Sequence, residues 1–213
     1  MKKNLFICGF VVLQLTGAAR GAVVLDRDWT VGTAVPDGNP VGITTSQTFA
    51  TLPNGPITGV TVDLNISGGY NGDLYAYLNY QDVNGNVATE TLLNQIGTSA
   101  FDPFGSSGSG FNNVTLSDAG TVNGSIHNAT GIPTGVWQPD SANTLNGTFG
   151  GLSDEGTWTL FIADLSVGGG TETLDSWGLD VTAAVPEPDT YGLMAGMGVL
   201  AVSLFGRFCR KKV

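Results

Sequence analysis

The body of this 213-residue chain has no cysteine. Cys8 and Cys209 lie close to the two ends, so the stretch between them offers no disulfide framework, no thiolate nucleophile and no cysteine metal site. Basic side chains are almost as scarce. Lys2, Lys3 and Arg20 belong to the first 22 residues and Arg207, Arg210, Lys211 and Lys212 to the last seven, which leaves Arg27 alone against sixteen acidic residues over 23–185, a net charge of −15. Such a surface repels phosphate backbones and anionic lipid and argues against nucleic acid as a partner. The one histidine, His127, lies in the polar loop "NGSIHNATG", where a solvated ring is the expectation and a catalytic base is not. "GSSGSG" at 105–110 fits G-x-S-x-G in no frame. No long amphipathic helix is legible either. The chain is expected not to be an enzyme.

What is present is alternation. In "VTVDLNIS", Val60, Val62, Leu64 and Ile66 fall on one face and Thr61, Asp63, Asn65 and Ser67 on the other, because a strand points successive side chains to opposite sides. The same period of two gives Leu74, Ala76 and Leu78 in "DLYAYLNY", Trp158, Leu160 and Ile162 in "TWTLFIAD", and Trp177, Leu179 and Val181 in "SWGLDVT". Asn71-Gly72, Asn84-Gly85 and Gly168 to Gly170 punctuate these runs as turns. The stretch 101–151 reads as long loops joining short strands. An all-β fold follows, one domain over 23–184 packed as a sandwich or a barrel and large enough for a core.

The two ends read differently. Met1 to Ala22 has the basic start, the apolar run from Leu5 to Leu15 and the small-residue finish of a secretory signal peptide. At the other end, Tyr191 to Phe208 is about 18 mostly apolar residues, roughly 27 Å as a helix, enough for one transmembrane helix. The basic cluster Arg207, Arg210, Lys211 and Lys212 then belongs on the cytoplasmic side.

Two resemblances sit on these residues. The runs "ITGVTVDLNISGGYNGDLYAYLNYQDVNGN" and "LNGTFGGLSDEGTWTLFIADLSVGGGTETLDSWGLDV" resemble the P domain (P/Homo B domain) of kexin- and furin-like proprotein convertases. Gly72-Asp73-Leu74, Leu145 with Phe149-Gly150, Gly156 to Leu160 leading to Asp164, and Leu174 with Trp177 and Leu179 carry the likeness. The resemblance spans about 57–181; Tyr70 stands in "SGGYNGDL" where the family often has a histidine before its Gly-Asp-Leu. It implies a jelly-roll β-sandwich that stabilises a protease and cleaves nothing itself. The second likeness is in the tail. Val185-Pro186-Glu187-Pro188, a short apolar helix and a basic terminus resemble the PEP-CTERM sorting signal of exopolysaccharide-making Gram-negative bacteria. This implies processing of 185–213 by an exosortase after a transient stay in the inner membrane, then delivery to the cell surface or extracellular matrix.

Carboxylates are the remaining candidates for chemistry. Asp73 at a strand start, Asp154 in a Gly-rich turn and Asp164 at a strand end are oxygen ligands of the kind calcium takes six to eight of. Calcium held at one rim of the sandwich is one expectation, and solvated turn acids are the other. For the body, a non-enzymatic surface or matrix module serving adhesion, packing or association with exopolysaccharide is the leading expectation. The alternatives are an accessory domain for a separate serine endopeptidase and a carbohydrate-binding module using exposed aromatics such as Tyr70, Tyr75, Tyr77 and Tyr80.

Overall fold

A computed structural model describes residues 20–52 and 55–185. The leader expected over 1–22 lies almost wholly outside the described residues, and so do the span at 191–208, the triplet Pro186-Glu187-Pro188 and the basic cluster. Among the described residues no helix is long and apolar enough to cross a membrane.

Nine strands make up nearly all of the secondary structure among the described residues. They are β1 (Arg20–Val35), β2 (Asn39–Phe49), β3 (Ile57–Ser67), β4 (Leu74–Asp82), β5 (Val87–Asn94), β6 (Phe111–Leu116), β7 (Gly135–Trp137), β8 (Gly156–Asp164) and β9 (Glu172–Val185). One sheet has the order β1-β9-β3-β6-β7 and the other β2-β8-β4-β5. Pairings of β3 with β9 and β6, and of β8 with β2 and β4, are antiparallel, whereas β6 and β7 run parallel. Among the described residues the only α-helix is the single turn α1 (Leu145–Phe149). Thr144 and Asp118 cap it, with Asp118 accepting the N–H groups of Leu145 and Asn146 at 2.8 and 2.9 Å.

The alternation read from the sequence decides the packing. Val60, Val62, Leu64 and Ile66 of β3, Leu74, Ala76 and Leu78 of β4, Trp158, Leu160 and Ile162 of β8, and Trp177, Leu179 and Val181 of β9 all join one buried hydrophobic cluster. That cluster takes residues from both sheets, so the sheets share a single core, as a two-layer β structure requires. The long loops expected at 101–151 are present, and they hold only β6, β7, α1 and one 3-10 turn. Arg20, inside the stretch expected to be leader, already belongs to β1.

One expectation is corrected here. Tyr80 is not an exposed aromatic but fully buried. It continues the core phase of Leu74, Ala76 and Leu78, stacks on Trp158 at 3.9 Å with Phe149 edge-on to that indole, and donates its hydroxyl to Ser153 O at 2.6 Å. Burial, followed by the charges of Asp82, Asp154 and Glu155, pushes the Tyr80 phenol far above its usual range, so it stays a donor. The Trp158 Nε1 finds no acceptor among the described residues. We therefore expect Trp158→Ala to cost about 3–5 kcal/mol in urea unfolding. Trp158→Phe should cost less than half of that, because it keeps the stack and removes an unsatisfied N–H. Equal losses in the two variants would show that the stack is not what the indole contributes.

Candidate functional site

Three connections meet at one end of the sandwich. The chain leaves β8 at Asp164, turns through Gly168, Gly169 and Gly170 with φ of 109, 80 and 102°, and enters β9 at Glu172. A 3-10 turn over Asn71–Asp73 leads into β4, and Leu74 pairs with Asp164 while Leu165 N–H bonds Asp73 O at 2.8 Å. The β1–β2 turn adds Asp37, which accepts Gly168 N–H at 2.9 Å. Two glycines make room. A Cβ on Gly69 would overlap the Glu172 carboxylate, and one on Gly169 would lie 2.6 Å from the Tyr70 ring, both at positive φ.

The result is a group of carboxylates with no base among the charges that act on them. Asp73 is nearly buried, and Asp164 and Glu172 are completely so. Glu172 Oε1 accepts Tyr70 N–H at 2.9 Å and Asp164 Oδ1 accepts Ser166 N–H at 3.0 Å. Their other oxygens, Glu172 Oε2 and Asp164 Oδ2, meet no N–H or hydroxyl among the described residues. Burial, reinforced by the hydrogen bond to Asp164 and by its charge, raises the Glu172 carboxyl to about 7. Glu172 therefore carries a proton through mildly acidic conditions and donates it to Asp164, because two buried carboxylates cannot both ionise side by side. Asp73 is raised as well, first by burial and then by the charges of Asp164 and Asp37, against a bond from Ser166.

The three acids expected to share a rim do not. Asp73 and Asp164 come together, but Asp154 precedes the start of β8 at Gly156 while Asp164 ends it, and the strand between is about 26 Å long at roughly 3.3 Å per residue. Asp154 instead accepts Gly55 N–H at 3.1 Å beside Tyr80. Glu172, which the sequence did not single out, takes the third place. Among the described residues no group of three or more His, Cys, Asp or Glu side chains is arranged to hold a metal ion.

His127 also departs from the solvated ring expected of it. Nδ1 lies 2.8 Å from Asp140 Oδ2 and Nε2 lies 3.0 Å from Thr98 O. A carboxylate and a carbonyl only accept, so both ring nitrogens donate and the imidazolium is favoured. The hydrogen bond to Asp140 is the main cause of the raised His127 pKa; burial opposes it, and the Asp140 charge and Thr98 add to it. The pin ties the 95–106 loop to the 125–140 loop, with Gly97 N–H bonding His127 O at 2.8 Å. Of the other tyrosines, Tyr70 is exposed at the carboxylate end, and Tyr75 and Tyr77 are half-buried on the outer side of β4.

Comparison with known proteins adds one assignment. The PEP-CTERM protein-sorting motif matches residues 184–211. The chain is accordingly an exosortase-sorted protein, exported through the membrane to the cell surface or extracellular space. No curated protein matches it. Among solved structures, the serine protease of Aeromonas sobria is similar at 16% identity and a TM-score of 0.46, over 77% of this chain. A chain in the complex of that protease with its chaperone is similar at 17% identity and a TM-score of 0.45, over 78%. In both cases the match covers 27% of the other chain's length.

Two titrations follow. The Glu172 carboxyl ordinarily loses its proton near 4.5 and does so at about 7 in the fold. A raised folded pKa means stability that is complete below the lower value and is lost as pH climbs through the higher. Thermal melts of the wild-type chain should fall between pH 5 and pH 8, and Glu172→Gln, whose amide still donates to Asp164, should flatten that fall. Parallel pH profiles would remove Glu172 from the account. For His127, the only histidine, a single imidazole resonance should titrate above 6.5. Asp140→Asn should bring it back down, and the stabilisation from the pair should be full below 6.5 and fade as pH rises through the folded value. An unchanged midpoint in Asp140→Asn would show that the pair does not set it.

Proposed function

We propose that this chain is a non-enzymatic cell-surface or extracellular-matrix protein. Its two-sheet domain over 23–184 is a P-domain-like jelly roll, its leader over 1–22 is removed on export, and an exosortase cleaves the tail at 185–213. The observation that carries the sorting half is the motif match at 184–211. The non-enzymatic half is supported by His127, whose two ring nitrogens are both engaged, so the one imidazole in the chain has no lone pair free to take a proton from a serine. The jelly-roll half is supported by the motif residues of the P-domain likeness. Asp73 and Asp164 meet at one end, and Trp158 and Trp177 sit in the core.

In the tail, Pro186 and Pro188 would hold the segment extended, since proline lacks an N–H and disfavours helix in the residue before it. Pro186, Glu187 and Pro188 are the sorting triplet, and Arg207, Arg210, Lys211 and Lys212 fix the end that stays inside. Replacing the triplet by three alanines leaves the apolar run and the basic cluster untouched. Fractionation of the native host and mass spectrometry of the C-terminus should find the wild-type protein processed and released. The variant should accumulate full-length in the inner membrane. A wild-type protein found full-length in that membrane, indistinguishable from the variant, would make the triplet a linker and the protein a permanently anchored one.

A further inference from the structure

The two sheets carry opposite electrostatic faces. β2, β8, β4 and β5 together contain only three charged residues, Asp82, Glu90 and Asp164, and all three are buried. Their outer side is therefore uncharged in a protein whose body carries −15. The other sheet exposes Asp26, Arg27 and Asp28 on β1. It also holds Asp63 and Asp180 half-exposed on neighbouring strands, where burial and then the charges of Asp26 and Asp63 raise the Asp180 carboxyl.

The neutral face is chemically ordered. Core residues alternate with outward ones along each strand, so Tyr75 and Tyr77 of β4 and Phe161 of β8 stand outside Leu74, Ala76, Leu78, Leu160 and Ile162. Tyr77 stacks on Phe161 at 4.7 Å and 15°, and Tyr75 meets Tyr77 edge-on at 6.2 Å. Beyond this aromatic ridge lie rows of hydroxyls and amides. Ser46 bonds Thr159 at 2.8 Å, Thr48 bonds Thr157 at 2.9 Å, and Asn79 donates to Thr89 at 2.7 Å. Thr44, Ser46, Thr48 and Thr89 are exposed. These cross-strand bonds fix the side chains in place before anything binds, which lowers the ordering cost of an encounter.

We infer that the outer face of the β2-β8-β4-β5 sheet binds a neutral polysaccharide strand. Sugar C–H surfaces suit an aromatic ridge with polar tips, and sugar hydroxyls pair with fixed Ser, Thr and Asn groups directly or through water. An anionic glycan would be repelled by the net charge of the body, and a cationic polymer would find its partners on the other sheet. A protein partner of ordinary kind would need an apolar centre, where the exposed Val41 and Val87 of this sheet lie on its edge strands β2 and β5 and hydroxyls and amides surround its three rings. The inference rests on the surface-protein function proposed above and names the ligand class and the surface.

The test uses the protein recovered from its native host, in detergent where the tail is retained. The probes are the neutral and acidic fractions of that host's own extracellular polysaccharide, separated by anion exchange and cast into native gels. The neutral fraction should retard the wild-type protein and the acidic fraction should not. Ser46→Glu, an exposed change that puts a charge on the face, and Tyr77→Ala, which breaks the ridge, should each weaken the retardation about tenfold. Asp28→Asn on the opposite sheet should leave it unchanged. Melting curves check that each variant is folded, and Ser46→Glu decides the matter if Tyr77→Ala is not. Absence of retardation by the neutral fraction, retardation by the acidic fraction alone, or retention of full affinity in Ser46→Glu would overturn the assignment. Since localisation is read separately by fractionation, a protein that reaches the surface and binds no neutral glycan sinks this inference alone. A protein held full-length in the inner membrane sinks the function beneath it.

Discussion

Negative charge without positive partners is the constraint on which the rest of this structure depends. With Arg27 the only lysine or arginine over 23–185 and His127 engaged by Asp140, most of the acids cannot be settled by ion pairs, and a buried carboxylate left unpaired is costly. The fold answers with backbone N–H groups, hydroxyls and protons. Asp82 shows the first device. Burial works against its charge, but N–H groups of Asn84, Asn86 and Ser153 and the Asn86 amide converge on it and hold its pKa below the usual range. Asp118 sits on the first N–H groups of α1, where an anion is favoured. Asp102 gathers the loop amides of Phe104 and Gly105. Thr148 and Thr115 donate their hydroxyls to Glu90 and Asp63.

The same constraint organises the turns. Loops in this protein close over acids, so a turn and the neutralisation of a carboxylate are one event. The β4–β5 turn winds Asn84 and Asn86 around Asp82, which is the Asx-turn chemistry that lets asparagine and aspartate side chains bond the backbone beyond them. The Gly168 to Gly170 connection does the reverse. Asp37 and Asp164 each take one amide from it or its approach, Gly168 N–H and Ser166 N–H, and Glu172, next in line, is satisfied at one oxygen and protonated at the other. That last carboxyl keeps its proton toward the neutral range, because it is buried, Tyr70 supplies a single N–H and the charge acting on it is another acid.

Much of this fold was legible because it is written in short-range alternation. Period two in "VTVDLNIS", "DLYAYLNY", "TWTLFIAD" and "SWGLDVT" placed the core residues of β3, β4, β8 and β9 on the correct face. Tyr80 was missed by weighing its residue type over its phase, since two further steps from Leu78 put it in the core. The carboxylate group was only half legible. Asp73 and Asp164 are motif residues at strand ends. Glu172 lies 102 residues from the Tyr70 N–H that holds it, and no local pattern marks a glutamate that strand pairing will bury. Asp154 and Asp164 are close in sequence but separated by an extended strand, so nearness in sequence misled. His127 and Asp140 stand 13 residues apart across a loop, and a loop carries no periodicity from which such a pairing could be read.

These two kinds of information also divide the molecule by role. Alternation fixes a core whose large rings, Trp158, Trp177, Tyr80, Phe111 and Phe149, are fully buried. Glu172 does change with pH, and it sits with Asp73 and Asp164 where strands begin and end. β9 runs from Glu172, at the carboxylate end, to Val185 at the other, where the matched sorting motif takes over. The last strand of the sandwich thus runs on in sequence from the carboxylate end to the matched sorting motif, while the outer side of β2, β8, β4 and β5 is free of charge. A chain with lysines and arginines spread over its surface would have paired its acids locally. Lacking them, this one buries its acids, holds them in loops or sets them on the other sheet, and the outer side of β2, β8, β4 and β5 is left neutral.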